Sequence, residues 1–250
     1  METTVKTALL GMNMTQLKEV AKEMGMPAFA AKQMAQWIYT HHAKSIGEMT
    51  NISARNRELL ASKYCIGAKE PANRMCSVDG TVKYLFPTDD GQYIETVFIP
   101  DGERGTVCVS CQVGCRMGCR FCMTGRQGFH GNLTTTDILN QLFSIEEHER
   151  ITNVVFMGQG EPMDNLNNVL KFLELVNHPD GMKIGMRHIS LSTCGLVPKI
   201  EMLMKEKMPI TLSASLNEEI FSVDTIIASF ALLIALKKPL SIPAGLSIKI

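Results

Sequence analysis

Between residues 106 and 215 one pattern repeats: a short apolar run, then an amphipathic stretch. TVCVSC precedes TTDILNQLFSIEEHE, ITNVVFM precedes NLNNVLKFLELVN, HISLST precedes VPKIEMLMKEK, and PITLSAS closes the series. Apolar runs of strand length alternating with helices specify a parallel α/β sheet or barrel, because parallel neighbours need a crossover that returns the chain along the sheet. Four strands are predicted. Ligands in such folds gather at the carboxyl ends of the strands. The cysteine-rich loop, GQGEP and the STCG turn each follow a strand, so the three are expected to share one mouth.

The chain upstream is built differently. LKEVAKEMG ending on Gly25, FAAKQMAQWIYTHH, and ISARNRELLASKY after a cap at Asn51 predict helices. TVKYLFP and QYIETVFIP alternate around DDG and predict a hairpin. The expected organisation is a helical domain over 1–75, a linking hairpin over 76–105, an α/β core over 106–219 and a tail over 220–250 that leaves the pattern. The tail's TIIASFALLIAL falls short of the roughly 20 residues that cross a bilayer, and no membrane partner is expected.

Two hundred and fifty residues with 45% hydrophobic content can build one large core and a small accessory domain. Zero net charge excludes a chain that coats nucleic acid by charge alone. A local basic face remains: Lys18, Lys22, Lys32, Lys44, Arg55, Arg57, Lys63 and Lys69 outnumber the acids of the first seventy residues, and Arg116, Arg120 and Arg126 thread the cysteine loop. The default reading of such runs is solvated cations on helix surfaces. The start, METTVKTALLGMNMTQL, has neither the apolar segment nor the cleavage site of a signal peptide, so a cytoplasmic location is expected. In that reducing setting Cys65, Cys76, Cys108, Cys111, Cys115, Cys119, Cys122 and Cys194 read as metal ligands, redox groups or buried apolar residues rather than disulfides.

Cys115, Cys119 and Cys122 form C-x3-C-x2-C within CQVGCRMGCRFCMTG. That spacing lets a short loop wrap three thiolates round an iron–sulfur cubane and leave one iron open to a small chelating molecule. Zinc is the alternative; it would recruit Cys111 or Cys108 as a fourth ligand, because structural zinc is closed and tetrahedral.

The loop resembles that of the radical S-adenosylmethionine (SAM) superfamily. With ETVFIP, VCVSCQVGC, FCMTGRQGFHGNLTTTDI, NVVFMGQGEPMDN and ISLSTCGLVPKI, the chain from about residue 15 to about 219 resembles the RNA adenine-C2 methyltransferases of the RlmN/Cfr type. MGMPAFAAKQMAQWIYTHH is similar to the accessory RNA-contacting domain of that family, with Ala30 where its FRAKQ-type sequences carry arginine. The resemblance implies a partial (β/α) radical-SAM barrel with about four of six repeats. It implies a [4Fe-4S] cluster on Cys115, Cys119 and Cys122, and S-adenosyl-L-methionine chelated to the open iron. One SAM gives its methyl to a cysteine; a second supplies a 5'-deoxyadenosyl radical that activates that methyl for addition to C2 of an adenine, a carbon too weakly nucleophilic for polar transfer. The implied partners are 23S rRNA and tRNA as substrates and flavodoxin or ferredoxin as electron donor, with the enzyme a monomer. The base would be unstacked to reach the mouth, with the arginines of the loop and the helical domain on phosphates.

Site residues follow by the same resemblance. Gly160 would let backbone approach the cofactor, and Glu161 would meet the methionine ammonium. Ser192 and the Ser213-Ala214-Ser215 stretch would bind carboxylate and ribose, although TLSASLNEE lacks the histidine that commonly follows Ser-Leu. Glu95 matches the family's proton acceptor, against the plain reading of a solvent-facing strand residue. Cys108 matches a cysteine that captures the methyl-carrying cysteine in a transient disulfide, against that of a buried strand thiol. Cys65, Cys76 and Cys194 are read as buried apolar residues, and Cys111 stands where the family often has serine. No cysteine follows Cys194, so the methyl-carrying cysteine has no counterpart, and the sequence after about Glu219 reads as a frameshift or assembly break. Cluster binding and SAM cleavage are then expected without methyl transfer. The alternatives are a C8-methylating Cfr-like enzyme, an inactive fragment, and a zinc-stabilised RNA-binding module.

Overall fold

A computed structural model describes residues 6–119, 122–214 and 247–249. Ser215 and most of the tail, including TIIASFALLIAL, lie outside the described residues. The N-terminal module starts with β1 (Thr7–Ala8), continues through α1 (Met14–Glu23), α2 (Ala30–Tyr39) and α3 (Ala54–Lys63), and closes with β2 (Tyr64–Cys65), which pairs in parallel with β1. Asn13 and Gln16 form a reciprocal capping box that satisfies two of the free N–H groups at the start of α1. Gly25 ends that helix at φ +64°, as its position predicts. The cap of α3 is Ser53, whose side chain accepts from the Asn56 N–H, and not Asn51. Asn51 instead accepts from the Trp37 indole N–H at 2.7 Å, a tertiary bond that helix-end patterns cannot reveal.

β3 (Asn73–Cys76), β4 (Val82–Pro87), β5 (Tyr93–Asp101) and β6 (Arg104–Cys108) run antiparallel. From β6 the sheet turns parallel through β9 (Asn153–Phe156), β10 (Ile189–Thr193) and β11 (Thr211–Ala214), with α5 (Thr135–Phe143), α6 (Leu166–Asn177) and α7 (Val197–Lys205) as the crossovers. β7 (Gln112–Gly114), the short α4 (Met123–Arg126) and β8 (Phe129–Asn132) interrupt the first crossover. The expected hairpin forms as β4 and β5, and it is continuous with the core sheet rather than set between two bodies. The tail adds one strand: β12 (Ser247–Lys249) pairs in parallel with β11, where the sequence pattern gave no further strand. It covers a row of β11 backbone groups that would otherwise form an unpaired edge. Eight of the described strands form one sheet in the order β12-β11-β10-β9-β6-β5-β4-β3, and β7 pairs with β8 apart from it.

Each core strand buries alternate residues, as the period of two requires. Ile94, Thr96, Phe98, Val107, Val154, Phe156, Ile189, Leu191 and Leu212 belong to the buried face, where the core also takes in Ile138, Leu142, Val169, Phe172, Ile200 and Leu203 of the crossover helices. The opposite face carries Val97, Cys108, Val155, Ser190 and Thr211 side by side in register, all half-buried. The four apolar runs are therefore one-sided strands.

The N-terminal module is fastened to α5 and α6. Thr136 donates its hydroxyl to the Leu10 carbonyl at 2.8 Å, Asn140 exchanges two hydrogen bonds with the Lys69 backbone, and Lys69 Nζ reaches Asp137 at 3.0 Å. Lys32 pairs with Asp180, and Asn13 donates to Glu174. The next residue of α5, Gln141, is fully buried and faces the core: its amide exchanges hydrogen bonds with the Ser110 N–H and carbonyl, each 2.8 Å, and accepts from the Thr96 hydroxyl. No helix among the described residues is long and apolar enough to cross a membrane.

Candidate cofactor site

The β7–β8 ribbon clasps the cysteine loop. A bulge at Val113/Gly114 turns the chain, with Gly114 at φ +70°; a Cβ there would fall 1.8 Å from the Gly128 carbonyl oxygen, so only glycine fits. Cys115 then donates its N–H to that same carbonyl at 3.0 Å. Cys122 is the N-cap residue of α4 and donates its N–H to Cys119 O at 3.1 Å. Cys115, Cys119 and Cys122 are all half-buried. Burial pushes the Cys115 thiol up, with further upward pushes from Glu161, Cys119 and Cys122. No three His, Cys, Asp or Glu side chains among the described residues converge as a single metal ion would need. Three soft sulfur donors on one short loop are the donor set of an iron–sulfur cluster. Cys111, one of the two cysteines a zinc site would recruit, is 2% exposed and its thiol is pushed well up, first by burial, the environment of an inert cysteine.

Glu161 lies in the turn that follows β9. It is 4% exposed, yet both carboxylate oxygens are engaged: Oε1 accepts from the Met163 N–H at 2.9 Å and Oε2 from the Cys194 N–H at 2.8 Å. A buried carboxylate bonded in this way is fixed in direction and keeps lone pairs for a cationic donor. Gly160 precedes it at φ +99°, packed so closely on Gln112 that a Cβ would lie 2.5 Å from the Gln112 Cβ. Ser192 and Ser213 are register partners on β10 and β11, as are Thr193 and Ala214. Ser192 and Ser213 project from the half-buried face that also carries Cys108 and Glu95. Ser215 lies outside the described residues.

Cys108 sits opposite Val97 and Val155, its thiol pushed up by burial. The Glu95 side chain is 44% exposed and ion-paired with Lys83 across β4–β5, and its carbonyl accepts from the Ser110 hydroxyl at 2.6 Å. All eight cysteines are free thiols.

Much of the basic face has structural employment. Lys32, Lys44, Lys63 and Lys69 are paired with Asp180, Glu70, Glu23 and Asp137, and Arg57 donates to the Met49 and Ile52 carbonyls. Lys18, Lys22 and Arg55 are exposed. Arg116, expected on phosphate, lies over the Phe129 ring with its guanidinium carbon 4.2 Å from the centroid, and its Nε is 3.9 Å from Asp164. Arg120 lies outside the described residues. A cavity of about 420 Å³ between α2 and residues 148–151 and 181–184 contains none of the expected site residues.

Two participants escaped the sequence reading. Cys194, which the sequence presents as an apolar thiol, donates its backbone N–H to Glu161; its place directly after β10, within STCG, is the available signal. Gln112 has no charge or metal affinity to mark it, and only its position three residues before Cys115 pointed to it.

Residues 7–66 match the Ribosomal RNA large subunit methyltransferase N-terminal domain, and residues 109–218 match the Radical SAM superfamily. The chain is 51% identical over 194 residues to a probable dual-specificity RNA methyltransferase RlmN of Porphyromonas gingivalis, covering 78% of this chain and 55% of that protein. It is 50% identical over 201 residues to a protein of the same description from Bacteroides fragilis, covering 80% and 58%. A dual-specificity RNA methyltransferase RlmN of Pelobacter propionicus is 42% identical over 214 residues, covering 86% and 62%. The chain thus matches little more than half the length of these curated relatives. Among solved structures, the crystal structure of a radical SAM methyltransferase from Sphaerobacter thermophilus superimposes with a TM-score of 0.86 at 31% identity, over 97% of this chain and 75% of that one.

Proposed function

We propose, because the chain belongs to the radical SAM methyltransferases and joins their core to an RlmN-type N-terminal domain, that it serves the methylation of adenine C2 in 23S rRNA and tRNA. The observation that carries this reading is a loop bearing three half-buried thiols, tied through Gln112 at its entry to one buried, doubly bonded carboxylate. Cys115, Cys119 and Cys122 would hold the [4Fe-4S] cluster. Bound there, the cluster supplies the electron that cleaves SAM, a route open to a carbon that is not nucleophilic.

Glu161 would accept the methionine ammonium, with Gly160 setting the turn that presents it. Ser192, Ser213 and Ala214 line two adjacent strand ends where the carboxylate and ribose would lie, and Ser215 would extend that row. Cys108 and Glu95 project from one face of the sheet. Cys108 would resolve the methyl-carrying thiol by a transient disulfide, and Glu95, with Lys83 beside it, would take a proton. A flavodoxin or ferredoxin donor, a monomeric enzyme and a cytoplasmic location complete the reading.

Anaerobic reconstitution tests it. About four irons with sulfide per chain and a charge-transfer band near 400 nm are expected, with SAM cleaved on reduction. Colourless protein, or one zinc per chain, would sink the proposal in favour of a zinc-stabilised RNA-binding module. Because no cysteine follows Cys194, residues 1–250 assayed alone should cleave SAM and leave RNA unmethylated; methylated adenine would overturn that part. Mass spectrometry of digested RNA from the methylating system separates C2 from C8 products.

A further inference from the structure

Gln112 opens β7, is 0% exposed, and lies three residues before Cys115. A buried amide is costly unless its polar atoms find partners. Here its oxygen and its nitrogen are both engaged, and the partners lie on different segments. Oε1 accepts from the Glu161 N–H at 2.9 Å; Nε2 donates to Asn132 Oδ1 at 2.7 Å and to Asp164 Oδ2 at 2.9 Å. The Gln112 backbone N–H adds a bond to the Gln159 carbonyl at 3.2 Å. Gly160 rests on the same side chain. One residue therefore ties together the strand that enters the cysteine loop, the strand that leaves it, and the turn bearing Glu161. The network runs on through Asp164 to Arg116, next in sequence to Cys115. An apolar side chain of similar volume could fill the space but could not fix these three segments at hydrogen-bond tolerance.

We infer that Gln112 is a positioning residue for SAM: it sets the offset between the cluster loop and the Glu161 carboxylate, so that the two ends of one amino acid reach both at once. This rests on the assignment of Cys115, Cys119, Cys122 and Glu161 above. Residues that orient metal-site groups from behind commonly change affinity or activity by about 10–100-fold when replaced, and the same range is expected here for SAM.

The test uses three anaerobically reconstituted variants of the full chain. Gln112→Met keeps the volume and removes all three side-chain bonds. Gln112→Glu keeps the acceptor for Glu161 but sets a carboxylate against Asp164. Combining Gln112→Glu with Asp164→Asn restores the contact with its polarity reversed, the new amide donating to the new carboxylate. Iron and sulfide content, thermal midpoint, SAM affinity by equilibrium dialysis, and the electron paramagnetic resonance (EPR) spectrum of the reduced cluster with and without SAM are measured. The single variants should retain wild-type iron, bind SAM about 10–100-fold more weakly, and show no SAM-induced spectral change at a concentration that saturates the wild type. The double variant should recover both affinity and spectral change. If Gln112→Met loses its iron, the comparison of Gln112→Glu with the double variant decides. Single variants that bind SAM like the wild type, or a double variant no better than Gln112→Glu, overturn the inference alone. Wild-type protein that takes up iron yet binds no SAM overturns the underlying assignment as well.

Discussion

Replacing Gly160 by alanine probes the cofactor turn without touching a thiol or a charge. The backbone there has φ +99°, and the new methyl would meet Gln112 Cβ at 2.5 Å, Cγ at 2.7 Å and N at 2.8 Å. Relaxed carbon contacts lie near 3.5–4.0 Å, so the turn must move by about 1 Å or Gln112 must leave its three partners. An L-residue in a left-handed conformation costs about 1–2 kcal/mol, and overpacking a well-filled interior about 1–3 kcal/mol. The combined strain of about 2–5 kcal/mol, if expressed at the turn, corresponds to at least about 30-fold weaker SAM binding at 1.4 kcal/mol per tenfold. Gly118→Ala is the control: this glycine also has positive φ, at +64°, but a Cβ would meet nothing within 4 Å, so only the conformational cost applies. Both variants are reconstituted anaerobically and compared for iron content, thermal midpoint and SAM affinity. Gly160→Ala should keep its iron and lose SAM. Wild-type SAM affinity in that variant, or a loss of iron that fully accounts for the loss of SAM, would refute the reasoning.

Other expectations address the scaffold. Burial, then His148, Lys44 and His41, hold His42 at about 4, below the ordinary value near 6.5. The unfolded chain therefore binds the proton first, and stability falls as pH drops from about 6.5 to about 4. Solvent screening at this half-buried ring keeps the loss to roughly 1–2 kcal/mol. His42→Asn, which tolerates the left-handed φ of 51°, should flatten the thermal midpoint between pH 7 and 5; an unchanged slope would count against the assignment. Tyr84→Phe removes a 2.7 Å hydrogen bond to buried Glu147 and should cost about 1–3 kcal/mol in urea unfolding. Ser53→Ala should cost about 1 kcal/mol as a lost helix cap, while Asn51→Ala should cost less, because the exposed Trp37 N–H can turn to water; the reverse order would restore Asn51 as the cap.

The strands and helices of the core were legible because each burial decision is local. Alternation in β10 and helical spacing in α6 follow from which residues of a short segment meet the core. The cysteine loop was legible for a different reason: soft ligands at that spacing have few other uses. What stayed hidden depends on partners distant in sequence. Ser53 and Asn51 are equally good caps on paper, and the choice turned on Trp37, 14 residues away. The hairpin read as a link because nothing in TVKYLFP or QYIETVFIP announces that β5 will pair with β6. The stacking of Arg116 on Phe129 and its approach to Asp164 likewise depend on partners that the loop sequence does not reveal. Gln112 illustrates the limit most clearly: a neutral amide in a strand acquires its role only through Asn132, Glu161 and Asp164, contributed by two later segments.

Helix α5 has two loyalties. Thr136, Asp137 and Asn140 grip the N-terminal module, and Gln141, on the same turn, grips Ser110 at the threshold of the cysteine loop. An excised core lacking residues 6–69 would therefore leave Thr136, Asp137 and Asn140 without these partners on the very helix whose Gln141 holds Ser110.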